Sequence, residues 1–597
     1  MPEHLTIRVA AAPTPLLANL QRIAARAMAA RGWPQPVWVA AGSEAAAALE
    51  LALRPGPPPQ AFALESGPDG LVRIAASDER GLLYGLGKYL RRSAGPGGAF
   101  VPCAWRGVAV PRVSLRGMYF ASHFHNYYQE APLADVEAYI EDLALWGLNA
   151  LTVWFDLHHF RGLDDPAAQA MLARLKALLR AARGVGMSAG IGVLANEGYA
   201  TTPAALRATK TGRAHYGVEV CVGTPAGMAL VLDNLRAEFE AFRDVGLDHV
   251  WLWPYDQGGC ACPACAPWGS NGMLRIGEPI ARLFRELYPQ GQVIYSTWLF
   301  DYGREQDEWA GLARAFGGAR ERGRPARSTA PDWVDYLLAD SHARFPRFPL
   351  DRGVPGGLPL LNFPEISMWG MMPYGGFGAN PLLRRFAALW GEVAHVADGG
   401  FPYSEGIFED LNKIAYAHFY WTGQNDVREA LAEYAAFEWG GMAADVAARV
   451  TDGLEANHGQ CWMTDETLRL WGSPKGTIPV AGYPGWSRYP LPQTADAARA
   501  REIYALCEAA EAAMPAWARQ AWRWRIIKLR ALLDRELISN GGAPRAAAVD
   551  GADARAGGSD VCADAFRELE AIFHAAAGEA VVSPPVPARP RRDTSSS

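Results

Sequence analysis

Charge imbalance, cysteine pairs, a leader segment and a long apolar run are all scarce or missing in this chain, and each shortage removes a class of protein. The formal net charge is only −6 over 597 residues. No basic patch stands out, so no nucleic-acid partner is expected. Eight cysteines (Cys103, Cys221, Cys260, Cys262, Cys265, Cys461, Cys507 and Cys562) are few for this length. Most are scattered, which excludes a disulfide scaffold and fits a reducing compartment. No uninterrupted apolar stretch is long enough to span a bilayer, so no membrane partner is expected. The first residues, Met1-Pro2-Glu3-His4-Leu5, do not form a basic segment leading into an apolar run and a small-residue cleavage site. No signal peptide is expected, and a cytoplasmic location is the default.

What remains is ordinary globular composition, 50% hydrophobic and 20% charged, in a chain too long for one core. Aromatics reach 11%, with 21 Trp, enough to serve both cores and sugar faces. The pattern divides the chain. Residues 1–112 read as a small α+β domain: a strand at Leu5–Ala10, a helix at Leu17–Arg31, and a hairpin around Ser66-Gly67-Pro68-Asp69-Gly70. A helix then begins at Gly81. Residues 425–580 read as helical, and Pro-rich 581–597 as a tail without fixed structure.

Between them, residues 113–424 alternate short apolar runs with helical stretches. The runs are Gly117–Ala121, Ala150–Phe155, Ser188–Leu194, His249–Trp253, Gln292–Trp298, Tyr336–Ala339, Pro359–Phe363 and Gly400–Tyr403. Eight β-then-α repeats predict a (β/α)8 TIM barrel, an α/β fold. An open doubly wound sheet is the alternative, disfavoured because no Gly-rich phosphate fingerprint follows any strand.

Barrel enzymes draw their active residues from the segments just after the strands. Those segments here are rich in carboxylates, imidazoles and aromatic rings. Hydrolysis of a glycosidic bond needs two carboxyl groups, one to protonate the leaving oxygen and one to activate water or attack the sugar. Asp256, Asp340, Glu365 and Glu405 are the catalytic candidates. Glu409, one helical turn beyond Glu405, makes one of that pair a cap or ion-pair partner. Asp256 lies between Trp251-Leu252-Trp253-Pro254-Tyr255 and Gly258-Gly259, where apolar neighbours would raise its pKa toward that of a general acid. His123, Trp154, Asn196, Trp253, Tyr255, Trp298, His342 and Tyr403 are the candidates for stacking on or hydrogen-bonding a sugar. His125, His158 and His159 also fall at strand ends, where they serve either substrate hydroxyls or the core. Cys260, Cys262 and Cys265 form Cys-X-Cys-X2-Cys, three ligands of a structural zinc site; Cys221, Cys461 or a His could supply the fourth. Reduced thiols or a local disulfide are the alternatives.

The hairpin followed by Gly81-Leu82-Leu83-Tyr84-Gly85-Leu86 resembles the domain that precedes the barrel in β-hexosaminidases and α-glucuronidases. The barrel opening Leu115-Arg116-Gly117-Met118-Tyr119 and the helical domain after it resemble the α-glucuronidase layout. The resemblance covers most of the chain. It implies a glycosidase barrel with its acid after the fourth strand, at Asp256, and base carboxylates after strands six and seven, at Asp340 and Glu365. Hexosaminidases carry an adjacent Asp-Glu pair where this chain has Asp256-Gln257, which disfavours hydrolysis of N-acetylhexosamines. The loop from Asp256 to Cys265 is also similar to that of uncharacterised bacterial barrel proteins of the same superfamily. A uronate would need a cation, with Arg116, Arg161, Arg304 and Lys413 available.

The expectation is a glycosidase acting on a carbohydrate, inverting, with a uronic-acid-containing glycan as the finer reading. Inversion places the two carboxyl groups about 6.5–9.5 Å apart. No cofactor is required for that chemistry. The rival is a carbohydrate-binding protein on a degenerate barrel; a metal-dependent enzyme using the cysteine loop is a third. The sequence leaves the oligomeric state open, a homodimer included.

Overall fold

A computed structural model describes residues 3–123, 126–210, 215–255, 258–301, 308–320, 329–341, 344–367, 378–458, 477–479, 488–490, 495–539 and 561–574. The first part is a six-stranded sheet with two helices. Strands His4–Ala10, Gln35–Ala40, Leu49–Leu53 and Val72–Ala76 run parallel. Phe62–Ser66 pairs antiparallel with Val72–Ala76 and with Gly107–Ala109. Thr14 starts the helix Pro15–Ala29, its side chain accepting from the Leu17 amide with Pro15 in the first turn. That helix buries Leu17, Leu20, Ile23, Ala24, Ala27 and Met28 on one face. Asp78 caps the helix Glu79–Arg92 in the same way.

The second part is a closed barrel of eight parallel strands. They are Leu115–Phe120, Ala150–Trp154, Ser188–Leu194, His249–Trp253, Gln292–Ser296, Tyr336–Ser341, Leu360–Pro364 and Ala397–Gly400. The ring closes where Gly399 and Gly400 meet Leu115 and Arg116. After a short break the chain returns to the sheet at Tyr403–Ser404, beside Tyr119 and Phe120. The barrel interior is aromatic. Trp251 lies 5.2 Å from Tyr119, 5.7 Å from Phe363 and 4.8 Å from Phe401, ring centre to ring centre. His249 sits below them, its Nε2 2.8 Å from Thr152 Oγ1, over Gly190, where an added Cβ would fall 1.9 Å from that nitrogen.

The helix Asp410–Thr422 follows the eighth strand, and helices Arg428–Glu438, Ala444–His458, Ala497–Ala513, Ala516–Gln520, Trp522–Ser539 and Val561–Phe573 make up the third part. Ala497–Ala513 stops before Pro515, which has no amide to continue it. Arg523 bonds Asp410 and Asp142 of the barrel helices, each at 3.0 Å, and lies 3.7 Å from Glu438. Glu438 also takes Arg31, just past the end of the first helix, and Asp142 takes Arg26 from within it, both at 2.7 Å. One chain of charges therefore ties all three parts. Among the described residues no helix is long and apolar enough to cross a membrane.

Candidate active site

The C-terminal ends of the barrel strands carry an aromatic floor. Trp253 stands edge-on to Trp154 at 5.9 Å and lies 5.1 Å from Trp298 and 5.2 Å from Phe363. Tyr403 lies 5.6 Å from Tyr119 and 6.1 Å from Phe363. Trp154, Trp253, Trp298 and Tyr403 keep 5–7% of their surface exposed, whereas Trp251 one layer deeper keeps none. The upper layer thus keeps a little ring surface open at the mouth, and the lower one is core.

Glu365 follows the seventh strand directly and bridges Tyr403. Asp340 lies near the end of the sixth, in register with Phe363 of the seventh. Both are buried, as is Glu405. The Tyr403 hydroxyl donates to Glu405 Oε1 at 2.6 Å, and the Glu405 amide donates to Ser367 Oγ at 2.8 Å. Burial pushes the Glu405 carboxyl well above the ordinary range; the charges of Glu409 and Glu365 push the same way, and the Tyr403 hydroxyl only partly offsets them. Burial likewise raises the Tyr403 hydroxyl, with help from Glu405, Tyr119 and Glu365. Glu365, Glu405, Tyr403 and Tyr119 therefore share one electrostatic neighbourhood. Glu409 does different work. It accepts from Ser404 Oγ at 2.6 Å and from the amides of Glu405 and Gly406 at 3.0 and 2.8 Å, and it faces Lys413 at 3.6 Å. It holds the turn on which Glu405 stands.

A second carboxyl pair, not singled out from the sequence, lies after strands two and three. Asp156 Oδ2 is 3.6 Å from His123 Nδ1 and 3.8 Å from His159 Nε2. Glu197 Oε1 accepts from the His158 amide at 3.0 Å and lies 2.6 Å from its Nδ1. His158 in turn stacks on Tyr216 at 3.4 Å. Burial pushes Asp156 up, but its hydrogen bond with His123 and the charges of His123, His158 and His159 outweigh it and hold the carboxyl well below the usual range. Burial and the Asp156 charge drive Glu197 well above it. The two environments pull a pair of neighbouring carboxyls apart, as acid–base sites do. The sequence signal was only Asp156 and Glu197 at adjacent strand ends. Asp156, His158 and Glu197 also lie close enough together to hold a cation.

Other expected site residues are engaged elsewhere. The Asn196 amide donates to the carbonyls of Val220 and Gly259, and its oxygen accepts from the Gly259 amide, all at 3.0 Å. It pins the loop after strand four to the loop after strand three. Tyr255 is 1% exposed and donates to Glu308 at 2.8 Å beneath that loop. Arg116 is fully buried at the opposite end of the first strand, bonded to Gly147, Val113 and Gln60. Lys413 is fully buried against Tyr128 and Tyr139, which likewise removes it from the mouth. Arg161 is exposed. Asp256, Gln257, His125, Arg304, His342, Cys461, the tail and the residues just before the last helix lie outside the described residues.

The loop after strand four turns at Gly259, whose φ of +106° suits glycine, and reaches the cysteines. The sulfurs of Cys221, Cys260, Cys262 and Cys265 all lie within 4.8 Å of one another. None is in a disulfide. Cys221 supplies the member of the set outside the Cys-X-Cys-X2-Cys motif.

An eight-stranded α/β barrel with carboxyls and indoles at its C-terminal mouth is the class that fold and geometry define. Structures similar to it are glycoside hydrolases. A family GH115 4-O-methyl-α-glucuronidase with specificity for decorated arabinogalactans shares 11% identity at a TM-score of 0.57, covering 95% of this chain and 76% of that one. A GH89 protein from Clostridium perfringens, solved with GlcNAc-α-1,4-galactose, shares 12% at 0.57, covering 88% and 61%. A GH138 enzyme targeting pectin rhamnogalacturonan II shares 12% at 0.52, covering 90% and 69%. At these identities the likeness is one of fold. No protein-family model matches the chain, and no curated protein does.

Proposed function

We propose that this chain is a glycoside hydrolase. The observation that carries the reading is the gathering of Glu365, Glu405 and Asp340 around one end of a barrel whose uppermost layer is Trp154, Trp253, Trp298 and Tyr403. A sugar presents an apolar face to rings and hydroxyls to carboxyls, so such a floor and rim suit it. We assign the general acid to Asp256, on the strand-four loop that Asn196 pins, and the base side to Glu365 with Asp340. Glu405, whose carboxyl is pushed up by burial and by the charges of Glu409 and Glu365, is assigned to the same side of the site. His123 holds Asp156 for substrate hydroxyls, and His342 is assigned to the same binding side. A uronic-acid-containing glycan is the finer form of the proposal. It draws support from the fold shared with the GH115 enzyme and none from Arg116 or Lys413. The mechanism is assigned as inverting. No step passes through a metal, and the zinc expected at the cysteine loop is assigned a structural place.

The test is a panel of aryl glycosides and aryl uronides, assayed with wild type, Asp256→Asn and Glu365→Gln. We expect turnover by wild type with the anomeric configuration of the first product inverted, seen by NMR. Each variant should lose roughly 10²–10⁴-fold in kcat. The Asp256→Asn loss should shrink with better leaving groups, which need no proton. Equal activity in all three proteins would sink the assignments, and binding without turnover would favour a lectin-like barrel.

A further inference from the structure

The catalytic proposal leaves the cysteines unused. Cys260, Cys262 and Cys265 follow the fourth strand, and Cys221 comes from the loop after the third. Cys221 Sγ is 3.6 Å from Cys262 Sγ, and all four sulfurs fall within 4.8 Å. A tetrahedral ion with sulfur ligands at about 2.3 Å holds those sulfurs about 3.8 Å apart. Four thiols all within 4.8 Å of one another, drawn from two loops and none paired as a disulfide, need move little to form a closed structural zinc site. Cys260 and Cys265 are completely buried, while Cys221 and Cys262 face the partly open side. The backbone is fitted to the cluster as well. A Cβ on Gly223 would lie 3.0 Å from Ala264 Cβ, 3.2 Å from Cys265 Sγ and 3.3 Å from Cys262 Sγ, so a side chain there would press on the cluster.

We propose that Cys221, Cys260, Cys262 and Cys265 bind one zinc ion, and that this ion clips the strand-three loop to the strand-four loop. The clip works beside a second fastening, the Asn196 amide on Gly259, and an Ala261 amide bond to Thr209 O at 2.9 Å. Asp256 stands two residues before Gly258-Gly259. The zinc would therefore act on the mouth by setting the path of the loop that bears that residue, without touching substrate. With all four positions taken by sulfur, no site is left open for water, which separates it from a catalytic zinc.

The test uses the full-length protein, purified under reductant without a metal-affinity tag. Elemental analysis should give about one zinc per chain. Cys221→Ser should lose at least about tenfold of the retained zinc, while Cys103→Ser, remote from the cluster, keeps it. If Cys221→Ser does not fold, wild type serves alone. Four thiols should react only after a chelator removes the metal, and cobalt exchange should yield the sulfur-to-metal charge-transfer bands of a tetrahedral four-thiolate centre. Zinc removal should also speed amide hydrogen exchange over residues 258–272 by roughly tenfold or more. A metal-free wild type with reactive thiols, a mass showing a disulfide among these cysteines, or unchanged exchange on zinc removal overturns the proposal. None of these readouts needs glycosidase activity, so they stand or fall apart from the functional reading.

Discussion

His249 shows what a titratable side chain does when a barrel closes around it. It follows Asp248 and opens the fourth strand, so its position alone suggests a polar strand end. In the fold it points inward, is almost completely buried, and meets Thr152 across the space that Gly190 leaves. Burial lowers its pKa from 6.5 to about 4. Above about pH 6.5 the ring is neutral whether the chain is folded or not. As pH drops from there to about 4, the unfolded chain binds a proton that the folded one refuses, and stability falls by up to about 3 kcal/mol. Urea titrations across that window should show the fall in wild type and a shallower one in His249→Gln. Identical slopes would mean the imidazole is not buried neutral. The same contrast marks the site residues. Glu405 and Glu409 are indistinguishable by spacing, and only the hydrogen bonds from Ser404, Glu405 and Gly406 show that Glu409 secures the turn.

Among the elements, the eighth strand was the hardest to place from its residues. The run Gly400–Tyr403 reads as one strand, but the chain makes two short ones, Ala397–Gly400 and Tyr403–Ser404, both against the first. The break falls at Phe401-Pro402, where proline has no amide to give the ladder, and the strand before it is glycine-rich for a steric reason. Gly399 takes φ +141°, and a Cβ there would fall 2.0 Å from the Leu115 carbonyl across the closing seam. A seam this close admits no side chain, so apolar periodicity is weak where the barrel shuts. Gly399→Ala should destabilise the protein by more than about 1 kcal/mol, read as a lower urea midpoint. An unchanged midpoint would indicate that the seam has room. The other seven strands were legible because each is a mostly apolar run buried along most of its length.

For the molecule as a whole, the charged chain through Arg26, Asp142, Arg523, Asp410, Glu438 and Arg31 has no counterpart in sequence, since its hydrogen-bonded partners lie between 113 and 407 residues apart. Arg523→Ala would remove the cation that Asp410 bonds and one of the two that Asp142 and Glu438 each face, since Arg26 and Arg31 stay in place, and we expect about 3 kcal/mol of lost stability. Tryptophan fluorescence and circular dichroism in urea would measure it. A change under about 1 kcal/mol would show the three carboxylates to be well solvated without it. Alternation of apolar runs and amphipathic helices, a local property of the chain, was enough to specify the barrel, its flanking parts, and the end of it where polar groups collect. Which of those groups lie together was settled only by closure. Ring formation brings strand one against strand eight, sets Asp156 beside Glu197, buries Arg116 and Lys413 away from the mouth, and delivers Cys221 to three cysteines some forty residues later. Spacing along a chain determines what each segment becomes, but distances across a barrel depend on every strand's register at once.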